Sequence, residues 1–229
     1  MKIAVLGASG RIGQRITLEA LVRGHEVKAL VRHPERFPIA HPRLTVARVD
    51  IFDPASVAEA ITDSDVVVNA TGAGGSDPHT FYINSTKAVI EGVKRAGRSK
   101  RLIVVGGAGS LEVAPGVQLV DTPTFSNVAR PTSLAQRETL DILRASAIAW
   151  TFFSPSEHIA AGRRTGKYRL GTDQLLTNDE GESFIFMEDY AVALLDEIKQ
   201  LRFIRQRFTA VSLEKGTIRL MCNLAASRK

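Results

Sequence analysis

Three glycines recur at three-residue spacing in Gly7-Ala-Ser-Gly10-Arg-Ile-Gly13, between a short apolar run and an amphipathic one. That context gives them a chemistry. Gly7 lets the chain turn tightly after a strand. Gly10 lets an anion approach the backbone with no Cβ in the way, and Gly13 lets the following helix lie close on the strand. Uncommitted N–H groups at the helix start then face phosphate. Ser9, Arg11 and Ile12 belong to the same turn, and the group they suit is the pyrophosphate of a dinucleotide.

The second apolar run, Glu26–Val31, ends in Arg32, with His33 and Arg36 close behind. An acid here would bond the ribose 2′-hydroxyl of NAD and repel the 2′-phosphate of NADP. A guanidinium instead pairs a phosphate bidentately. The expected cofactor is NADP(H), preferred over NAD(H).

One chemistry is missing. Tyr-x-x-x-Lys lets a lysine lower a tyrosine pKa so that the phenol passes a proton near neutrality. The three tyrosines are Tyr82, Tyr168 and Tyr190, and four residues on stand Thr86, Thr172 and Leu194. Carbonyl reduction or sugar epimerisation that depends on the dyad is therefore not expected. Hydride transfer to a flavin, quinone or linear tetrapyrrole needs less acid catalysis, because a conjugated ring spreads the charge. Ser110 and His158 are the polar residues expected to position that acceptor.

Alternating elements must hold these groups. Strands are expected at Lys2–Leu6, Glu26–Val31, Leu44–Val49, Val66–Ala70, Leu102–Val105 and Trp150–Phe153. Helices fall between them. Asp53-Pro54 and Asp77-Pro78 each supply a cap followed by a first-turn proline. Ser133–Gln136 has capping-box spacing and opens a helix through Arg144. Such alternation specifies an α/β fold, a Rossmann-type doubly wound parallel sheet with helices on both faces. After Pro155 the pattern becomes irregular. Tyr168–Leu170, Phe184–Phe186 and Arg207–Val211 are short strand candidates, and Met187–Leu201 is a helix. The chain reads as one domain over 1–211, with 155–211 covering the substrate and 212–229 an extension of unknown role.

The bulk numbers narrow the class. The single cysteine, Cys222, excludes an internal disulfide or a cysteine zinc site, and the five histidines lack metal-ligand spacing. No metal is expected. Apolar runs are too short to span a bilayer, and a glycine turn interrupts the first one, so no membrane partner or signal peptide is expected and the compartment is the cytoplasm. The net charge is +6, but the basic residues are scattered with few aromatics, which argues against nucleic acid. The expected partner is a small-molecule acceptor, on a monomer or homodimer.

The G-x-x-G-x-x-G spacing resembles the extended and atypical short-chain dehydrogenase/reductase families. Further matches are Asn69-Ala-Thr71-Gly72, Val105-Gly106-Gly-Ala-Gly-Ser110, Ser154-Pro155-Ser-Glu-His158-Ile, Thr165-Gly-Lys-Tyr168 and Met187-Glu-Asp-Tyr-Ala191. Together they resemble the NAD(P)H-binding reductases related to biliverdin reductase B, the bacterial proteins provisionally described as NADH-flavin reductases, and the NmrA-like proteins. The resemblance implies that Asp50 contacts the adenine amine and Ile51 the ring. It implies that Thr71 and Gly72 pass beside the nicotinamide ribose, with Gly106 and Pro155 also at the cofactor. It puts His158 at a histidine found in the biliverdin reductase B family. It also carries a second function, a non-catalytic NADP(H)-binding sensor of the NmrA-like kind.

Overall fold

Near-continuous apolar runs such as Val66-Val-Val are suited to strands covered on both faces. The computed structural model describes residues 1–97 and 100–214 and bears this out. The first half runs β1 (Lys2–Leu6), α1 (Arg11–Val22), β2 (Glu26–Val31), β3 (Leu44–Arg48), α2 (Pro54–Ala60), β4 (Val66–Asn69), α3 (Pro78–Ala96) and β5 (Arg101–Val105). A small hairpin of β6 (Glu112–Ala114) and β7 (Val117–Gln118) follows, then α4 (Arg130–Ala145), β8 (Ala149–Ser154) and β9 (His158–Ala160). The chain continues through β10 (Tyr168–Gly171), β11 (Phe184–Phe186), α5 (Met187–Gln200) and β12 (Gln206–Ser212).

Eight strands form one sheet in the order β10-β12-β8-β5-β4-β1-β2-β3. All neighbours are parallel except β10, which runs antiparallel to β12 at the edge. The order reverses between β1 and β4, so a crevice opens there at the carboxyl ends of the strands. Alternate residues feed two cores. Ile3 and Val5 pack under α1 and α5, whereas Ala4 and Leu6 pack under α2, α3 and α4.

Both aspartate caps form. Asp53 accepts from the N–H groups of Ala55 and Ser56, and Asp77 from that of Thr80 at 2.7 Å. The expected capping box does not. The helix starts three residues earlier, at Arg130, with Pro131 in its first turn. Ser133 therefore lies inside the helix. The preceding turn is held instead by Ser126, whose Oγ accepts from the Ala129 N–H, and by the Arg130 guanidinium, which bonds the carbonyls of Val120, Thr122 and Phe125.

The C-terminal part is less irregular than its composition implies. β9 and β11 pair parallel beside the main sheet. The last strand runs to Ser212, one residue past the expected boundary at 211, and Leu213 N–H bonds Lys167 O at 3.1 Å. Residues 215–229, most of the expected extension and including Cys222, lie outside the described residues.

Aromatic stacking ties this part to the sheet. Phe153 of β8 stacks on Tyr190 and Phe208, each at 3.9 Å between centroids. The Tyr190 hydroxyl, fully buried, donates to Phe153 O at 2.8 Å. Tyr190→Phe removes one of two donors to that carbonyl, which keeps the Gly106 N–H at 2.9 Å, and is expected to cost about 1 kcal/mol. Denaturant unfolding checks this, and turnover of the folded variant should stay within about tenfold, since a general acid would be worth ~10²–10⁴.

Candidate functional site

The crevice at the strand-order reversal is a cleft of about 900 Å³. That lies at the upper end of the range for small-molecule sites. Its floor is the glycine turn. Gly7 has φ +74°, and a Cβ there would stand 2.7 Å from Ala70 O. Gly10 is the N-cap of α1, with no side-chain cap and no acid in the first turn. The N–H groups of that turn are thus left for a ligand. Gly13 lies below the cleft, where a Cβ would collide with Gly7 O. Helix and strand meet as closely as the motif requires.

At one end of the cleft lie Arg11, Arg32 and Arg48 with Asp50 and Ile51. Among the described residues none of the three guanidinium groups has a carboxylate partner. The nearby acid, Glu35, is engaged by His33 at 3.3 Å and Arg36 at 4.0 Å. Arg36, which follows Arg32 in the loop, is exposed and does not line the cleft. Arg48 was not singled out from sequence, because it reads as the polar end of a strand. Its alignment opposite Val31 in the β2–β3 register sets it at the same end of the sheet as Arg32, and both line the cleft. One Asp50 oxygen accepts from Phe52 N–H at 2.9 Å, which shapes the turn that presents Ile51.

The other end lies over β4, β5 and β8. Thr71 is fixed by Asn69, whose Oδ1 accepts from the Thr71 N–H at 3.2 Å and hydroxyl at 2.7 Å. Gly72 and Gly74 carry the loop over the cleft, and Gly106, Gly107, Pro155 and Met187 complete the wall. At Gly106 a Cβ would collide with the Phe152 ring, so the backbone there is pressed onto the core. Two polar side chains reach this end that sequence reading did not select, Tyr82 from α3 and Gln136 from α4. Helical periodicity marks Tyr82 as a core residue, and nothing marks a lone glutamine.

Of the three tyrosines, Tyr82 alone lines the cleft. Burial pushes its phenol up from the usual range, partly countered by the Ala73 amide. No lysine lowers it. Tyr168 donates to Asp196, and its phenol is pushed upward by burial and by that carboxylate. Tyr190 is raised by complete burial.

Ser110 and His158 stand elsewhere. Ser110 is buried, and both its Oγ and its carbonyl accept from Arg207 Nη1, at 3.0 and 2.7 Å. His158 is exposed on β9, where its backbone pairs with β11, and only its neighbour Ile159 reaches the cleft. Tyr82 and Gln136 line the cleft where Ser110 and His158 do not. The described residues hold no group of three or more acids, histidines or cysteines arranged for a metal. None of their helices is long and apolar enough to cross a membrane.

A family profile for NAD(P)H-binding domains matches residues 7–198. Three solved structures are similar over nearly the whole chain. A Burkholderia pseudomallei protein, provisionally described as exported, is 45% identical with a TM-score of 0.83, covering 92% of this chain and 99% of its own. A Bacteroides thetaiotaomicron protein, provisionally an epimerase, is 39% identical with a TM-score of 0.87, covering 94% and 98%. A Streptococcus pneumoniae protein, provisionally an NADH-flavin reductase, is 34% identical with a TM-score of 0.84, covering 93% and 99%.

Proposed function

The chain belongs to the NAD(P)H-binding family, with the oxidoreductase-like fold of atypical short-chain dehydrogenases/reductases, and from that premise we propose that it is an NADPH-dependent reductase of a flavin, quinone or similar conjugated acceptor. The observation that carries the reading is the trio of unpartnered guanidinium groups, Arg11, Arg32 and Arg48, in a cleft floored by an uncapped helix. Carboxylates do not neutralise them, so the end of the cleft suits a phosphate more than a ribose hydroxyl.

The residues present fit a dinucleotide. The first-turn N–H groups of α1 and the bare Cα of Gly10 take the diphosphate. Arg32, aided by Arg11 and Arg48, takes the 2′-phosphate. Asp50 and Ile51 flank the adenine, and Thr71 and Gly72 flank the second ribose. Gly106 and Pro155 bound the nicotinamide, which when bound would supply a hydride to the acceptor. The chain orients two flat rings at roughly 3–3.5 Å and excludes water from one side. The proton that accompanies the hydride would come from solvent. A proton donor within the chain is not required. Tyr82, raised and without a lysine, is poorly suited to the hydroxyl oxidation that an epimerase begins with. The proposed setting is the cytoplasm, where reduced nicotinamide is available, and the segment 155–211 is proposed to cover the acceptor.

Cofactor choice tests the reading. Arg32→Glu is expected to weaken NADPH binding roughly 10–100-fold, the loss of a charge-assisted bidentate pair, while NADH binding changes little. Equal weakening of both cofactors, or of neither, measured by equilibrium titration, overturns the assignment of Arg32.

A further inference from the structure

We infer that Gln136 orients the acceptor by pairing its carboxamide with a cyclic amide or imide edge, so that the site favours acceptors presenting adjacent N–H and C=O groups. The inference rests on the reductase reading and names the acceptor chemistry within it.

Placement comes first. The arginines put the adenosine end of the cleft at β2 and β3, so the reacting end lies over β4, β5 and β8. Gln136 projects from α4 into that end, beside Gly106, Gly107 and Met187. The backbone makes room for it, because a Cβ on Gly107 would collide with Gln136 Oε1. The amide is therefore laid against the end of β5.

Its hydrogen-bonding capacity is unspent. The three residues that follow it on α4 are committed. Arg137 bonds Gln118 at 3.1 Å and Asp121 at 2.9 Å, Glu138 meets His79 at 3.0 Å, and the Thr139 hydroxyl donates to Ala135 O at 3.1 Å. Gln136, half-buried, has no hydrogen-bond partner among the described residues. An amide in a partly desolvated site gains most from a ligand that satisfies both its C=O and its NH₂. A lactam or imide edge does so with two coplanar hydrogen bonds. A quinone offers acceptors only and leaves the Gln136 carbonyl unpaired. A carboxamide also does not titrate.

The test compares wild type, Gln136→Leu and Gln136→Glu in steady-state NADPH oxidation with FMN (imide edge), biliverdin (terminal lactams) and menadione (no N–H). Gln136→Leu is expected to raise KM for FMN or biliverdin about tenfold with kcat within about threefold, while KM for menadione moves less than about threefold. Gln136→Glu keeps the shape and the acceptor but loses the donor, and should fall between. The acceptor with the larger response identifies which edge is read. Parallel shifts for all three acceptors, no shift in any, or weakened NADP⁺ binding overturn the inference. Fluorescence titration of FMN onto NADP⁺-loaded protein separates it from the reductase reading. FMN binding weakened by Gln136→Leu supports the inference even where wild type shows no turnover. FMN binding that is absent, or indifferent to Gln136, overturns it.

Discussion

Gly10→Val is expected to take NADPH binding below detection while the protein stays folded. Three glycines share the turn, but only this one isolates the ligand. Gly7 has φ +74°, and a side chain there is strained as well as pressed on Ala70. At Gly13 a Cβ collides with Gly7 O and lifts α1 off β1. Gly10 is extended, with φ −71° and ψ 163°, a conformation any residue adopts. Its Cβ would stand 3.2 Å from Gly7 O, which a shift of a few tenths of an ångström relieves. The protein therefore loses about 1 kcal/mol for a poor N-cap. The branched side chain projects where the diphosphate must meet the first turn of α1. Titration with NADPH, alongside circular dichroism, reads both quantities. Unchanged affinity in the folded variant would show that the turn does not hold the cofactor.

The largest stability effect should fall far from the cleft. Arg101, at the start of β5, pairs with Glu197 of α5, and both are buried. The guanidinium also donates to Glu197 O at 3.1 Å and Thr151 Oγ1 at 2.6 Å. The Glu197 carboxylate further accepts from the N–H groups of Arg202 and Phe203, at 3.2 and 2.9 Å, where the chain leaves the helix. Glu197→Leu strands a buried cation and two N–H groups, so the expected cost is about 3–5 kcal/mol. For a chain of this size that is a fall of roughly 10 °C in Tm. The double change Arg101→Met with Glu197→Leu should recover much of the loss, because removing both charges also removes their desolvation cost. Thermal unfolding of the three proteins checks this. A single variant no less stable than the double one would show that the pair is not what secures α5.

Much of this architecture was legible because local and global signals agree. Strand runs such as Val66–Asn69 are apolar on both faces, and Asp53-Pro54 and Asp77-Pro78 mark helix starts by local hydrogen bonding. That the glycine turn and Arg32 line the cleft was legible for the same reason, since their places follow from the strands that precede them. Arg48, Tyr82 and Gln136 were not. Each reaches the cleft through register or helix packing, between residues far apart in the chain. Ser110 shows the converse. It follows a glycine-rich strand end, yet Arg207, 97 residues away, takes its hydroxyl. The start of α4 was misplaced because Ser133–Gln136 fits a cap locally, whereas Pro131 and the carbonyls gathered by Arg130 begin the helix sooner.

The most direct measurement of the central claim is anaerobic oxidation of reduced nicotinamide by the protein with FMN, run with NADPH and NADH at matched concentrations. The account predicts protein-dependent hydride transfer to FMN that is faster with NADPH at subsaturating cofactor, and whose NADPH advantage disappears in Arg32→Glu. NADPH binding with no protein-dependent oxidation by FMN, quinone or tetrapyrrole would contradict it and make the chain a sensor of NADP(H).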